Sequence, residues 1–218
     1  MEKKFLGSFT QQQPLPESAI EAATKVMRHG RLHRYNVENG EISETALFEQ
    51  EFARQLDVKF CLACASGGYA MTTALRALGV SFGDKVLTNG FTLAPVPGAI
   101  AAAGGEIVFV EINDELLIDF DDLERKIISS KSKVLLLSHM RGHICNMDTL
   151  MRLCDQYEVQ VVEDCAHTMG AKWDKHWSGK FGLIGCYSTQ TYKHLNSGEG
   201  GILITNDQEI MARAIILS

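Results

Sequence analysis

The sequence has no excess of positive charge and no long apolar run. Its 218 residues carry 21 Lys and Arg against 27 Asp and Glu, a formal net charge of −6. A broad nucleic-acid-binding surface is not expected, because such a surface needs clustered positive charge. The longest uncharged stretch, residues 90–105, contains two prolines and four glycines, so it does not predict a membrane span.

Repeats, low-complexity tracts and polar linkers are also missing. A chain of this length without such an interruption predicts one large domain that buries its own core. The charged residues at positions 2–4 are followed by a short, partly polar segment at 5–10, which does not predict a secretory signal peptide. We therefore expect a cytoplasmic protein without a membrane segment.

The cysteines lack the pattern of a secreted disulfide framework. The six cysteines are Cys61, Cys64, Cys145, Cys154, Cys165 and Cys186. Most of them lie in apolar runs, which is typical of reduced, buried thiols in a cytoplasmic protein. The pair at positions 61 and 64 has CxxC spacing, but no second pair of ligands follows at the short distance that zinc sites need. We interpret both cysteines as small apolar residues of a strand.

Short β-rich runs alternate with longer amphipathic runs. Strands are predicted at residues 60–65, 85–89, 106–111, 133–138, 159–163, 184–189 and 201–205. Helices are predicted at residues 17–29, 43–56, 69–78, 95–103, 120–129, 147–157 and 207–217. This alternation predicts an α/β layered fold with a mostly parallel sheet. The last two strands are joined by a polar segment without a helical pattern, which predicts an antiparallel pair.

Glycines follow the first predicted strand, in Ser66-Gly67-Gly68-Tyr69. Backbone amides at such a turn, together with a helix N-terminus, bind anions. The alternative interpretation is a tight connection between strand and helix, and the turn alone does not decide between them. The spacing matches neither the dinucleotide-binding GxGxxG motif nor a Walker loop.

Two adjacent acids, Glu163 and Asp164, end a later apolar strand. Acids at such a position need a cation, a metal or hydrogen-bond donors. A magnesium or zinc site with His139 and His143 is conceivable, but that segment lacks the glutamate of HExxH and contains Gly142. We therefore predict polar loop residues satisfied by hydrogen bonds, and no metal.

Lys193 lies on a glycine-rich loop between two apolar strands. Most such lysines are solvated surface residues. A desolvated amine, however, has a lowered pKa and becomes a nucleophile that forms imines. A lysine, a carboxylate and an anion-binding turn are together what pyridoxal phosphate chemistry needs. The carboxylate keeps the ring nitrogen protonated, and the lysine moves the proton between carbons.

Four segments in order resemble the DegT/DnrJ/EryC1/StrS family of sugar aminotransferases, which have the type I pyridoxal phosphate fold. Residues 65–71 resemble its Ser-Gly-Thr-Ala-Ala phosphate turn, and residues 91–93 its Phe-Thr-Phe element. Residues 162–167 resemble its Glu-Asp-Ala-Ala-Gln segment, and residues 188–201 its Ser-Phe-x-x-x-Lys…Gly-Asp-Gly-Gly stretch. The resemblance implies a three-layer sandwich with about seven strands.

The resemblance also implies roles for single residues. Lys193 holds pyridoxal phosphate as a Schiff base, and Asp164 faces the pyridine nitrogen. Ser188 and the backbone amides of Gly68 and Tyr69 bind the phosphate, although the last two replace the usual Thr-Ala and remove a hydroxyl donor.

Two further positions are assigned by the same resemblance. His167 stands where the family has Gln or His, near the ring hydroxyl. Leu93 stands where an aromatic ring usually stacks on the cofactor, so either Leu93 or Phe91 covers the ring. His143 replaces a common glutamine.

The family continues into a C-terminal small domain, which this sequence does not contain. We expect an N-terminal segment with a helix (1–30) that packs on a pyridoxal-phosphate-binding large domain (31–218). The uncapped apolar helix at 207–217 leads us to expect a homodimer. The implied reaction moves an amino group from Glu or Gln to a keto-sugar, nucleotide-linked in our expectation, or a keto-cyclitol. The alternatives are a non-catalytic cofactor-binding module and a related sugar dehydratase, in which a histidine replaces the lysine.

Overall fold

The computed structural model describes residues 7–8 and 14–218. Residues 2–6, 9 and 10, on which the signal-peptide prediction depends, lie outside the described part. The chain divides into two compact units, Met1–Leu47 and Phe48–Ser218. The predicted boundary between residues 30 and 31 lies inside the first unit, and the predicted packing of segment 1–30 on the large domain stays a prediction.

The first unit contains helix α1 (Glu17–His29), whose bounds agree with the sequence. The helix ends where Gly30 adopts a left-handed conformation with φ 75°, which glycine tolerates without a Cβ clash. Arg31 then forms ion pairs with Glu38 at 2.7 Å and Glu41 at 2.9 Å. Because the acids are largely exposed, these pairs contribute little to stability.

Strands form the centre of the second unit. In chain order they are β1 (Phe60–Cys64), β2 (Lys85–Asn89), β3 (Glu106–Val110), β4 (Val134–Ser138), β5 (Gln160–Asp164), β6 (Lys172–Trp173), β7 (His176–Trp177), β8 (Ile184–Ser188) and β9 (Gly201–Thr205). Seven of them make one sheet in the order β1-β9-β8-β5-β4-β2-β3. Strands β6 and β7 form a separate hairpin, which was not predicted because two-residue strands show no periodicity.

Four neighbouring pairs in the large sheet are parallel: β2–β3, β2–β4, β4–β5 and β5–β8. Strand β9 runs antiparallel to β8, which confirms the predicted pairing of the last two strands. Strand β9 also pairs antiparallel with β1, a contact that the sequence did not predict. The mostly parallel, seven-stranded sheet is confirmed.

Helices cover both faces of the sheet. They are α2 (Glu44–Leu56), α3 (Gly67–Ala77), α4 (Pro95–Ala102), α5 (Phe120–Ser130), α6 (Met147–Gln156) and α7 (Gln208–Leu217). Helices α3, α4 and α7 share one apolar core with the sheet, and α5 and α6 share another with its opposite face. The predicted three-layer α/β fold is confirmed. None of the described helices combines the length and apolar character needed to cross a bilayer.

The direction of the strands determines where a site can form. Strand β1 is parallel to β8 because both run antiparallel to β9. The carboxyl ends of β1, β2, β4, β5 and β8 therefore meet at one edge of the sheet. In open α/β sheets this edge is where ligands bind.

Candidate active site

A cavity of about 350 Å³ opens at this edge. Its lining includes six of the seven predicted site residues: Gly68, Leu93, Asp164, His167, Ser188 and Lys193. The other lining residues are Ser66, Gly67, Met71, Pro95, Val96, Met140, Ala166, Gln190 and Glu199. A larger hollow of about 820 Å³ lies along α1, but its lining contains none of the predicted site residues. We therefore take the cavity at the strand ends as the candidate site.

The turn between β1 and α3 forms one end of the cavity. The Ser66 Oγ accepts the amide hydrogen of Tyr69 over 3.1 Å and so caps α3, which begins at Gly67. The first amides of an α-helix lack partners within the helix and carry the positive end of its dipole. Ser188 lies against this helix start, because a Cβ added to Gly67 would be 2.9 Å from the Ser188 Cβ. The turn and Ser188 together offer donors to an anion.

Tyr69 is the predicted site residue that is not part of the cavity lining. Its amide hydrogen is donated to the Ser66 Oγ, and its phenol donates to the Leu217 carbonyl over 3.2 Å. The helix cap decides which amide of a glycine-rich turn faces a cavity. The sequence did not predict that Ser66 would cap α3 through the Tyr69 amide. The predicted contact of the Tyr69 amide with phosphate stays a prediction.

Asp164 ends β5 and lines the middle of the cavity. The Ser138 Oγ donates to its Oδ2 over 3.1 Å, and the Ala166 amide donates to its Oδ1 over 3.1 Å. A carboxylate oxygen accepts more than one hydrogen bond, so both oxygens keep capacity for a ligand. The side chain can therefore accept a hydrogen bond from a group inside the cavity.

Lys193 lies in a turn within the β8–β9 loop. Its amide donates to the Gln190 carbonyl over 2.8 Å, and the Gln190 side chain accepts the Tyr192 amide hydrogen over 3.1 Å. Burial lowers the pKa of the Lys193 amine, Asp164 opposes this effect, and Arg141 adds to it. A lower pKa increases the neutral fraction of the amine, which is its nucleophilic form.

His167 follows Asp164 on the same loop. Its Nδ1 accepts the Arg141 amide hydrogen over 3.1 Å, so a neutral ring carries its hydrogen on Nε2. Burial lowers the pKa of His167, and the positive charge of Lys193 lowers it further. The neutral ring thus offers one N–H donor at the cavity.

Leu93 and Phe91 were the alternatives for covering a cofactor ring. Leu93 lines the cavity, whereas the Phe91 ring lies edge-on to His143 with 6.2 Å between centroids. His143 is exposed, and its Nδ1 lies 3.2 Å from the Glu115 carbonyl. This arrangement favours Leu93 as the residue that contacts a ligand.

Glu163 points away from the cavity and is fully buried on the other side of β5. Its two oxygens accept the amide hydrogens of Gly179, Phe181 and Gly182, at 2.7 to 2.9 Å. The His139 Nε2 lies 3.0 Å from its Oε2. The predicted satisfaction of this acid by hydrogen-bond donors is confirmed.

A possible metal-ligand group also contains Glu163. Within the described residues, ligand atoms of His139, Glu163 and Cys165 lie within 4.8 Å of one another. The Cys165 Sγ accepts a hydrogen bond from the Ser178 hydroxyl over 3.2 Å, and burial raises the pKa of this thiol. These atoms have protein partners, so the group is explained as a hydrogen-bond network. The predicted lack of a metal stays a prediction.

The residues of the cavity fit pyridoxal phosphate. The glycine at position 67 brings the amide donors of α3 against the Ser188 hydroxyl, where a side chain would not fit. An acid and an amine of lowered pKa lie in the same cavity. This donor set on a three-layer sandwich with a mostly parallel sheet defines the class of type I pyridoxal phosphate enzymes.

Comparison with known proteins identifies the family within this class. The chain belongs to the DegT/DnrJ/EryC1/StrS aminotransferase family, whose model matches residues 15–218. GDP-perosamine synthase from Escherichia coli O157:H7 is 34% identical over 169 residues, which are 77% of this chain and 46% of that protein. L-glutamine:2-deoxy-scyllo-inosose aminotransferase from Streptomyces kanamyceticus is 30% identical over 198 residues, 90% of this chain and 46% of that protein.

A solved structure shows the same fold. NtdA from Bacillus subtilis with bound cofactor PMP superposes with a TM-score of 0.81 at 26% identity, covering 91% of this chain and 43% of that chain. The chain spans about half the length of the curated relatives it matches.

Among the residues at the site that were not predicted, three are polar. Ser138 contacts Asp164, and Gln190 and Glu199 line the cavity. The position of Ser138 at the carboxyl end of a predicted parallel strand was a usable signal. No comparable signal marks Gln190 and Glu199, because the direction of a loop side chain depends on the turn that carries it.

Proposed function

We propose that this chain is the cofactor-binding part of a pyridoxal-phosphate-dependent aminotransferase. The proposed reaction transfers an amino group from Glu or Gln to a keto-sugar, nucleotide-linked in our proposal, or to a keto-cyclitol. The observation that carries the proposal is the presence of Lys193, Asp164, Ser188 and the N-terminus of α3 around one cavity. The activities for which the relatives are named support this choice of substrates.

When bound, pyridoxal phosphate supplies an aldehyde that condenses with amines and a ring that accepts electrons from the substrate carbon. Lys193 would hold the cofactor through its Nζ, whose neutral form is favoured by its lowered pKa. The same Nζ, when not attached to the cofactor, would serve as the group that accepts and returns the proton moved in the reaction.

The other residues bind and orient. The Asp164 carboxylate holds the proton on the ring nitrogen, because a nearby negative charge favours the charged form of that nitrogen. The Ser188 hydroxyl and the first amides of α3, including that of Gly68, bind the phosphate. His167 would donate its Nε2 hydrogen to the ring hydroxyl, and Leu93 would contact the ring, since both side chains line the cavity.

A sugar dehydratase is the alternative that keeps the cofactor. In the sugar dehydratases related to this family a histidine replaces the lysine. In this chain His194 would therefore have to take the role assigned to Lys193. Lys193 lines the cavity, whereas His194 is exposed and is not part of its lining. The position of Lys193 therefore supports the aminotransferase. A non-catalytic cofactor-binding module remains the second alternative, since it needs the same cavity.

The proposal includes assembly and location. We propose a homodimer, supported by two adjacent exposed apolar side chains on α7, Ile215 at 44% and Ile216 at 82%. We also propose a cytoplasmic location, supported by four cysteines that are buried as expected for reduced thiols: Cys145, Cys154, Cys165 and Cys186.

Borohydride trapping tests the proposed cofactor site. The chain is mixed with pyridoxal phosphate, reduced, digested and mapped by mass spectrometry. We expect the reduced adduct on Lys193, and we expect Lys193→Ala to lack the absorbance band of the covalently bound cofactor. Lys175→Ala, which changes an exposed loop lysine, is the matched control and should bind as the wild type does.

Two outcomes separate the alternatives. An adduct on another lysine, or none, contradicts the proposed site. An adduct on Lys193 that is not converted by any amino donor, in this chain and in longer forms of it, favours the non-catalytic module. Conversion to the amine form of the cofactor by Glu or Gln supports the aminotransferase.

A further inference from the structure

Ser138 ends β4 beside Asp164, which ends β5. The two residues are register partners in a parallel pair, so their side chains leave the same face of the sheet. The Ser138 Oγ donates to the Asp164 Oδ2 over 3.1 Å, and the Ala166 amide donates to Oδ1 over the same distance. The His139 amide also donates to the Asp164 carbonyl over 3.1 Å, which keeps the strand ends aligned.

The backbone of Ser138 is itself held by Asn89 on the neighbouring strand. The paired register of β2 and β4 stops at Thr88 and Leu136. Beyond it, the Asn89 Oδ1 accepts the Ser138 amide hydrogen over 2.9 Å, and the Asn89 Nδ2 donates to the carbonyls of Ser138 at 3.1 Å and Phe91 at 3.0 Å. Both backbone groups of Ser138 are therefore fixed by one buried amide.

We propose that Ser138 is a positioning residue for Asp164. The inference rests on the proposed function, in which the Asp164 carboxylate holds the proton on the ring nitrogen of pyridoxal phosphate. A carboxylate at the end of a strand is free to rotate about its side-chain bonds. Hydrogen bonds to both of its oxygens restrict that rotation, so the orientation exists before the cofactor binds.

If Ser138 positions Asp164, its loss should change the protonation of the cofactor ring nitrogen, which a purely structural role of Ser138 would not. A well-aligned carboxylate raises the pKa of the ring nitrogen, because it stabilises the protonated form. Without the Ser138 hydroxyl, the Asp164 carboxylate keeps, among the described residues, a single hydrogen bond, from the Ala166 amide. Its carboxylate then spends less time aligned with the nitrogen, and the nitrogen loses its proton at a lower pH.

The test uses the full chain loaded with pyridoxal phosphate carrying ¹⁵N in the ring. The ¹⁵N chemical shift is recorded by NMR across a pH series, and cofactor affinity is measured by absorbance titration. The variants are Ser138→Ala, Ser138→Cys, which keeps the volume but donates weakly, and Ser138→Thr, which keeps the hydroxyl. Far-UV circular dichroism and thermal melting establish that each variant is folded.

Ser132→Ala is the matched control. Ser132 is 4% exposed and Ser138 is 5% exposed, and the Ser132 hydroxyl donates to the Lys85 carbonyl over 2.6 Å at the opposite end of β4. The control thus removes a buried serine hydroxyl from the same region without touching the cavity. Its ring-nitrogen midpoint should equal that of the wild type.

We expect Ser138→Ala and Ser138→Cys to lower the midpoint for deprotonation of the ring nitrogen by about one pH unit, since a hydrogen bond to a charged group has that order of magnitude. Ser138→Thr should restore the wild-type midpoint. If folded Ser138→Ala and Ser138→Cys proteins titrate as the wild type and Ser132→Ala do, Ser138 does not position Asp164.

Asp164→Asn separates this inference from the proposed function. A lowered midpoint in Asp164→Asn with an unchanged midpoint in Ser138→Ala overturns only the role of Ser138. An unchanged midpoint in Asp164→Asn shows that the carboxylate does not hold the ring proton, and then both the proposed role of Asp164 and the inference are wrong.

Discussion

Glu163 and Asp164 are adjacent in sequence and carry the same functional group, yet they lie on opposite faces of β5. Glu163 is buried and accepts hydrogen bonds from three backbone amides and His139. Asp164 receives two hydrogen bonds and faces the cavity. Successive side chains of a strand alternate between faces, so one residue of register decides which acid is available to a ligand.

The pKa of Lys193 gives a pH-dependent prediction. In the proposed function the neutral amine reacts with the cofactor aldehyde, so the attachment rate should rise with pH, with a midpoint below the 10.5 of an unperturbed lysine. Arg141→Met removes a positive charge that lowers this pKa, so the midpoint should move to higher pH. Stopped-flow absorbance across a pH series measures the rate.

Arg152→Met is the control for this titration, because Arg152 is an exposed residue of α6 and is not among the charges that shift the Lys193 pKa. Its midpoint should match the wild type. A midpoint that does not move in Arg141→Met would show that the guanidinium does not act on the amine.

Sequence reasoning brought together the residues that line the cavity better than the residues that hold them in place. Lys193, Asp164 and Ser188 could be predicted to share a site because Asp164 and Ser188 end strands, Lys193 lies on the loop after Ser188, and their chemistry agrees with a known set. Their roles stay predictions. The position of Ser138 at a strand end was a usable signal, but its contact with Asp164 and the contact of Asn89 with Ser138 could not be predicted, because both depend on the register of β2, β4 and β5.

At the scale of elements, strand β9 approaches the start of α3 through backbone contact at Gly201. A Cβ on Gly201 would overlap the Ser66 carbonyl and lie 2.7 Å from the Gly67 nitrogen. This contact fixes the turn that is proposed to bind the phosphate against the sheet. Because the neighbours are backbone atoms, they cannot move aside as a flexible side chain can.

Gly201→Ala should therefore destabilise the chain by about 3 kcal/mol, as overpacking does, and should weaken cofactor binding. Gly98→Ala is the matched control: Gly98 lies in α4, and a Cβ there meets no atom within 4 Å. In that helix alanine should add up to about 1 kcal/mol of stability. Urea unfolding midpoints compare the two, and equal midpoints for Gly201→Ala and wild type would rule out the clash.

The observed bounds of the strands and helices also show how well a local sequence pattern predicts where an element begins and ends. The strands at residues 85–89 and 201–205 were predicted with the observed bounds. Helix α3 begins at Gly67 rather than at residue 69, because the Ser66 cap includes both glycines in the helix. Glycine has low intrinsic helix propensity, so a sequence pattern places it in the turn.

At the scale of the whole molecule, the proposed homodimer is open to a direct test. Sedimentation velocity at high protein concentration should show a dimer, and Ile216→Asp should shift it towards monomer by placing a charge in an apolar contact. Phe82→Asp, at a side chain that is 97% exposed, is the control substitution. A wild-type chain that remains monomeric at every concentration would exclude the dimer.

The layered architecture could be predicted because alternating strands and helices leave few topologies for a chain of this length. The position of β9 between β8 and β1 could not, since nothing local in residues 201–205 specifies β1 as a second neighbour. That pairing joins residues far apart in sequence, with Phe60 opposite Thr205.

The same pairing fixes an order of assembly during synthesis. Strand β1 is at the edge of the sheet, and β9 is its neighbour there. On a growing chain, β1 and the turn after it have no strand to join until residues 201–205 have left the ribosome. Long-range pairings of this kind form late in folding. The start of α3, against which Gly201 of β9 packs, therefore takes its final position late. We expect a nascent chain to bind its cofactor only after β9 is in place.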